Sequence, residues 1–497
     1  MRNAQAIPIR AIPLLPAEEF CVEVLEAVLH EARLAALFCA PVAGGLRLFA
    51  ILAEDRLGVL HALSAPAGNG YPSLTPDCPQ AHLFEREIWE TWGVTPLGHP
   101  WLKPVRFPTL DPQGREIIGP DVGQARFMEA LGEGGHEVAV GPVHAGIIEP
   151  GHFRFLCHGE DVLHLEISLG YQHRGVERAL TGGPGPLFMQ HMQTLAGDTS
   201  IGHATAACQN LEALSGCDVP AGALVLRAIA LELERLANHA GDLGALAMDV
   251  GFLPTSSFLG RIRGDFLNMS AKLCGSRFGR GLVTPGGTRF DLDASRAEAV
   301  RAHLAEVFPQ CVEAVELLWS TPSVVSRFER TGVVSRVDAL ALGLVGVAAR
   351  ACDVEIDVRQ DYPVGAFAYA HIPVAVAQTG DVAGRAFVRH MELLHSEKFL
   401  TEHLTHLPAS KAGGDGFRAP VGNLAPDHLA VSLVEGWRGE ICHVAITDET
   451  GRFAAYKVVD PSFHNWAGLA MALRNQQISD FPICNKSFSL SYCGHDL

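Results

Sequence analysis

Residues 224–250, LVLRAIALELERLANHAGDLGALAMDV, decide how this chain is built. Wound as a helix, the stretch is apolar around most of its circumference, which marks a buried bundle helix rather than a surface one. Arg235, His239 and Asp242 fall at i, i+4 and i+7 and share one stripe. Glu232 stands one turn before Arg235, placed to pair with it. Charges in a core are costly unless paired. The stripe is therefore either an internal ion-pair network or one wall of a polar cavity, and the residues alone leave both readings open.

Outward from this helix, Ala- and Leu-rich segments with helical periodicity run from Gly159 to about Arg359. Ahead of them, residues 1–115 read as a small α/β unit: a helix over 17–37, a strand in LRLFAILAE and a helix over 83–92. Residues 109–135 are rich in Gly, Asp, Pro and Glu and read as connecting chain. The last hundred or so residues return to β-prone runs such as ICHVAITD and FAAYKVVD, and 481–492 alternates well enough to predict a buried strand. The expected class is α+β, with a domain over 1–115, a linker over 116–140 and a mainly helical domain over 141–497 carrying a central bundle and peripheral short strands.

The composition, 48% hydrophobic and 19% charged over 497 residues, is that of a folded protein. A net charge of -17 argues against nucleic acid as a partner. The N-terminus has no apolar run of signal-peptide length. The uncharged stretches 179–197 and 362–380 are broken by Gly, Pro, His and Gln and are too polar to span a bilayer. These features predict a cytoplasmic protein whose contact with a membrane would run through partner subunits. None of the 12 cysteines forms a Cys-x-x-Cys pair, the usual sign of a zinc or iron–sulfur site, so most read as buried apolar residues.

Several strings carry a family resemblance. Glu85-Arg86-Glu87, Trp92-Gly93 and Gly98-His99-Pro100 resemble the 30 kDa subunit of respiratory complex I. Further on stand Gly141-Pro142-Val143-His144, Glu149-Pro150-Gly151-His152-Phe153, Gly170-Tyr171-Gln172-His173-Arg174-Gly175 and the helix carrying Arg235 and His239. With Glu435-Gly436-Trp437-Arg438-Gly439-Glu440 these resemble the 49 kDa subunit and, more closely, the large subunit of group 4 (formate hydrogenlyase-type) [NiFe]-hydrogenases.

What the resemblance implies is a nickel site held by four thiolates in two Cys-x-x-Cys pairs. Counting back from His203, this chain has Ala196 and Thr199 at the first pair; counting on from Ser487, it has Ser491 and Gly494 at the second, with Cys493 off by one. Soft thiolates are not readily replaced by such side chains, so no metal is expected on this chain. Complex I implies a quinone cavity in the vacated space, approached by a histidine and an aspartate at His144 and Asp249, while Gly197 stands where its tyrosine would be. Hydrogenases imply a proton-passing role for Glu149 and place Arg438 over the metal. His152, His203, Arg235, His239, Asp242 and Arg438 are the expected cavity-lining residues. Read blandly, His144 is a core histidine on backbone, Glu149 shapes a turn, Asp249 pairs with an arginine, and Arg438 pairs with Glu435 or Glu440.

The expected role is that of a redox-complex subunit. It would sit beside a small iron–sulfur protein and attach to antiporter-like membrane subunits, with quinone as a possible ligand and the iron–sulfur cluster in the partner. The face carrying His203 and residues 85–92 is expected to meet that partner. A purely structural bridge and a hydrogenase with unusual ligands are the alternatives. Hydrogenases of this kind carry a tail removed on nickel loading; this sequence stops at Leu497, so residues 481–492 are expected to dock beside 196–203 without maturation.

Overall fold

The structure, a computed structural model, describes residues 1–130, 132, 134–146, 148–406 and 416–497. Its centre is a group of long helices, Ser200–Ser215, Ala221–Asp249, Leu253–Cys274, Ala294–Trp319 and Val382–Thr405. They share one continuous core through residues such as Leu233, Leu243, Ile262, Phe266, Leu304 and Leu400. Their ends follow local chemistry. Asp293 and Asp381 accept from the N–H groups of Arg296 and Gly384, both at 2.8 Å, and so start their helices. The helix Leu253–Cys274 has proline in its first turn and stops at Gly275, whose φ is +78°.

Strands lie around this bundle, as an α+β protein requires. Arg33–Val42, Gly45–Glu54 and Val59–Pro66 form one antiparallel sheet. Gly135–Val140, inside the stretch expected to be linker, pairs with His152–His158, which pairs with Asp161–Ser168. A third sheet is antiparallel in the order Gln5–Pro8, His428–Gly436, Gly439–Thr447, Phe453–Val459. The N-terminal strand thus joins the C-terminal region, with Gln5 opposite Val431. A second core continues from Phe20, Leu37 and Ile51 into Leu433, Val444 and Phe463.

Two expectations are corrected. The first helix ends at Leu29, not 37, because Glu31 sits at φ +72° and residues from Arg33 onward pair with the next strand, Phe38 opposite Phe49. The expected strand over 481–492 is instead two helices, Phe481–Phe488 and Tyr492–Asp496, separated by Ser489 at φ +52°. Pro482 in the first turn and a cap from Ser491 Oγ to the Gly494 N–H favour helix over extended chain.

Candidate functional site

The stripe on Ala221–Asp249 closes into an ion-pair network. Arg235 bonds Glu232 at 3.2 Å and Glu392 at 3.0 Å, and the His239 Nε2 lies 2.8 Å from the same Glu392. Arg350 joins Glu392 to Glu435, and Arg359 joins Glu232 to Asp357. Burial opposes ionisation of Glu392, but the charges of Arg350 and Arg235 win and hold its carboxyl well below the usual range. Burial keeps His239 neutral-leaning, with its pKa below the ordinary value. Asp242 lies one turn on, bonded to Arg389 at 2.9 Å and to Ser489 Oγ at 2.8 Å.

Three elements converge on Ala196, Thr199, Ser491 and Gly494, the positions that the resemblance implies for the nickel ligands. The first is the turn 196–199 ahead of the helix Ser200–Ser215. Its first amides, Ile201 and Gly202, donate to the buried Glu234 carboxylate at 2.8 and 3.2 Å. The second is the hairpin Glu435–Glu440, in which Gly436 pairs with Gly439 and Trp437 and Arg438 fill the turn. Gly439, at φ +138°, lies against the backbone of Gly346, where an added Cβ would stand 2.8 Å from the Gly346 Cα. The third is the C-terminal helix pair.

Arg438 is the clamp between them. It takes Asp198 with both guanidinium ends at 2.6 and 2.8 Å, Thr199 Oγ1 at 3.2 Å and the Ser489 carbonyl at 2.5 Å, and it stacks 3.9 Å above Trp437. Its carboxylate partner is Asp198, and neither Glu435 nor Glu440: those are taken by Arg350 and Arg33. Burial raises the Asp198 pKa, yet the Arg438 charge outweighs it and holds the group low.

Beneath Gly494 lies a buried chain. Asp460 Oδ2 is 3.0 Å from His203 Nε2, His203 Nδ1 is 3.0 Å from His443 Nε2, and His443 Nδ1 is 3.0 Å from Tyr456 Oη. A Cβ added to Gly494 would stand 2.7 Å from the Asp460 carboxyl carbon. Asp460, His443 and Asp198 were not singled out from the sequence; the one signal was Asp460-Pro461-Ser462, a helix start whose carboxylate caps Ser462 at 2.8 Å.

The donor set suits no nickel centre. Ala196 is apolar, the Thr199 hydroxyl is engaged by Arg438, and the Ser491 hydroxyl caps Gly494. Cys493 stands one position from Gly494: the Gly197 N–H points at its sulfur, and Ser491 Oγ is 3.4 Å from it. Burial, with the Glu149 charge beside it, pushes that thiol up to about 11 and keeps it from being a thiolate.

Other expected residues are placed as follows. Glu149 Oε2 accepts from the N–H groups of Tyr492 at 3.2 Å and Cys493 at 3.5 Å, so it reaches the C-terminal segment 491–494. His144 Nε2 lies 2.9 Å from the Gly151 carbonyl. Asp249 sits exposed at the end of its helix, and among the described residues it makes no bond to His144; the expected His–Asp pair is not formed. His152 Nδ1 faces the Gly141 carbonyl at 3.4 Å, and its buried Nε2 has no partner among the described residues. His203 and Glu85 are fully buried, so neither belongs to a surface that a partner touches. Cavities of about 280 and 300 Å³ are lined by other residues. Among the described residues no helix is long and apolar enough to cross a membrane.

Residues 249–419 match the family "Respiratory-chain NADH dehydrogenase, 49 Kd subunit", and 24–111 match the corresponding 30 Kd subunit family. The chain is 30% identical to the carbon monoxide-induced hydrogenase of Rhodospirillum rubrum over 351 residues, 70% of this chain and 95% of that one. It is 29% identical to formate hydrogenlyase subunit 5 of Escherichia coli over 437 residues, covering 85% and 76% of the two. It is 27% identical to the membrane-bound hydrogenase alpha subunit of Pyrococcus furiosus over 362 residues, covering 70% and 84%. The chain belongs to the family of group 4 hydrogenase large subunits and the complex I 49 kDa subunit, with a 30 kDa-subunit-like domain fused ahead of it.

Proposed function

We propose that this chain is the large, nickel-free subunit of a membrane-associated redox complex related to complex I and to membrane-bound hydrogenases. It would take part in electron and proton transfer beside an iron–sulfur subunit. The carrying observation is the contrast at the former metal site. Arg438 and Asp198 lock one side, and the Asp460 carboxylate fills the space a side chain at 494 would need. Glu149 nonetheless still reaches the same segment through the amides of Tyr492 and Cys493. The reading takes Glu149 as the proton-handling group of a site that holds no metal.

The surface beside this site includes the exposed Gly197 and the half-buried Asp198 and Cys493. It suits the docking of a small iron–sulfur protein, with membrane subunits of the antiporter type further out and the assembly on the inner face of the membrane. The reading retains 1–115 and 141–497 as its two functional units, with the strand Gly135–Val140 at the end of the segment between them paired into the second. No cofactor is assigned to this chain; a quinone-like molecule near His144 is the ligand the reading allows.

A structural bridge is the second reading, and the backbone bond of His144 and the closed Arg235 network favour it. Purification of the intact complex decides between them. The expected result is an iron–sulfur subunit in the complex, less than about a tenth of a nickel per chain, and no hydrogen evolution from reduced viologen. One nickel per chain, or a complex lacking any iron–sulfur subunit, overturns the proposal. A complex whose turnover is unchanged by altering Glu149 returns the structural reading.

A further inference from the structure

Away from the former metal site, a cavity of about 300 Å³ opens between the N-terminal unit and the helix Pro461–Ala472. One wall is apolar, with Leu83, Leu165, Leu169, Ala467, Ala470 and Met471. The charged groups on it are unusual for a chain of net charge -17. Arg86, Lys103 and Arg474 line it against a single carboxylate, Glu166, and that carboxylate is already taken by Lys103 and the Met128 N–H.

Arg86 is the group left over. Its Nε and Nη2 donate to the carbonyls of Lys103 at 2.7 Å and Pro104 at 2.9 Å. Those bonds fix the plane of the guanidinium and leave Nη1 with no partner among the described residues. Among the described residues no carboxylate is in ion-pair contact with it; Glu166 pairs with Lys103. Burial pushes Arg86 down to about 10, with the nearby charges of Glu90 and Glu166 only partly opposing. A half-buried guanidinium on an apolar wall, with one edge unpaired and no carboxylate in ion-pair contact, gains from an anion that completes it. Carboxylate and phosphate fit the remaining guanidinium edge, and an aliphatic body fits the wall opposite.

We propose that this cavity binds a small anionic amphiphile, its carboxylate or phosphate on Arg86 and its apolar chain along Ala467, Ala470 and Met471. Arg474, exposed and lining the same cavity as the exposed Trp101, draws the anion to the mouth. The site does not depend on the redox reading above, because it shares none of Arg438, Asp198, Glu149 or Asp460.

Calorimetric titration of the purified chain tests it with decanoate, decyl phosphate, decanol and inorganic phosphate. Saturable binding of one decanoate or one decyl phosphate per chain is expected, with the tighter of the two identifying the headgroup. Decanol and inorganic phosphate should each bind at least about tenfold more weakly, the weight of one charge-assisted contact or of the buried chain. Arg86→Met should weaken the anion by a similar factor, and Arg86→Lys by less. If Arg86→Met does not fold, Ala470→Trp decides alone: it fills the cavity from the apolar side and should abolish binding. Decanol binding as tightly as decanoate, binding unchanged in folded Arg86→Met or in Ala470→Trp, or no binding of either anion overturns the proposal.

Discussion

The carboxylate of Asp460 occupies the space that a side chain on Gly494 would enter. A Cβ at 494 would stand 2.7 Å from the Asp460 carboxyl carbon, and His203, at 3.0 Å, holds that carboxylate in place. Asp460 is fully buried, and the His203 bond holds its pKa low against the cost of burial. The residue beneath Gly494 is therefore an ion held by a histidine, and it cannot easily step aside.

Gly494→Cys is therefore expected to destabilise the chain by about 1–3 kcal/mol, the ordinary cost of overpacking. Converting Ala196, Thr199, Ser491 and Gly494 together to cysteine should still give no stable nickel centre while Asp460 remains. Urea unfolding and nickel analysis check both halves. A fully stable Gly494→Cys chain would show that Asp460 yields.

Glu392 joins Arg235, Arg350 and His239. Glu392→Gln leaves two buried guanidinium groups short of a counter-ion, and the expected loss is roughly 3–5 kcal/mol. Equilibrium denaturation measures it. A loss below about 1 kcal/mol would mean that Glu435 and Glu232 satisfy both arginines unaided.

His464 is buried, and burial together with the Arg33 charge pushes it down to about 3. A histidine with a depressed folded pKa is neutral in the fold, while the unfolded chain takes up a proton below about pH 6.5. Its contribution to stability is thus complete above about pH 6.5 and falls as pH drops from there towards about 3. His464→Gln should flatten the fall in unfolding free energy between about pH 6.5 and pH 5. An identical slope in both chains would remove His464 from the acid response.

Glu149→Gln tests the proton role proposed for the complex. It keeps an acceptor for the amides of Tyr492 and Cys493 and removes the titratable group. Turnover by the complex should fall by about 100-fold or more, the usual scale for a lost general acid or base. Assembly, followed by size-exclusion chromatography, should not change. Unchanged turnover would leave Glu149 as a turn residue.

The alternation of charge and apolar surface in 224–250 is a local property, so helix and stripe were readable from spacing alone. The β-prone runs at the C-terminus were readable for the same reason and appear as Gly439–Thr447 and Phe453–Val459. The positions expected for the four ligands were a matter of counting from His203 and Ser487, a register along the chain that the resemblance supplied. What spacing could not supply was partnership. Arg438 had Glu435 and Glu440 close by in sequence, yet it pairs with Asp198, about 240 residues away, because the Gly436–Gly439 turn carries it across to the segment 196–199. The stripe on 224–250 closed on Glu392 of another helix for the same reason. The alternation in 481–492 misled, since Pro482 and the Ser491 cap act within one turn and outweigh a period-two pattern. Nothing in the sequence near Gly494 announces Asp460 beneath it. Only the packing of two distant helix starts brings that carboxylate and that glycine together, and steric exclusion between them, a property of space and not of order along the chain, settles what position 494 can hold.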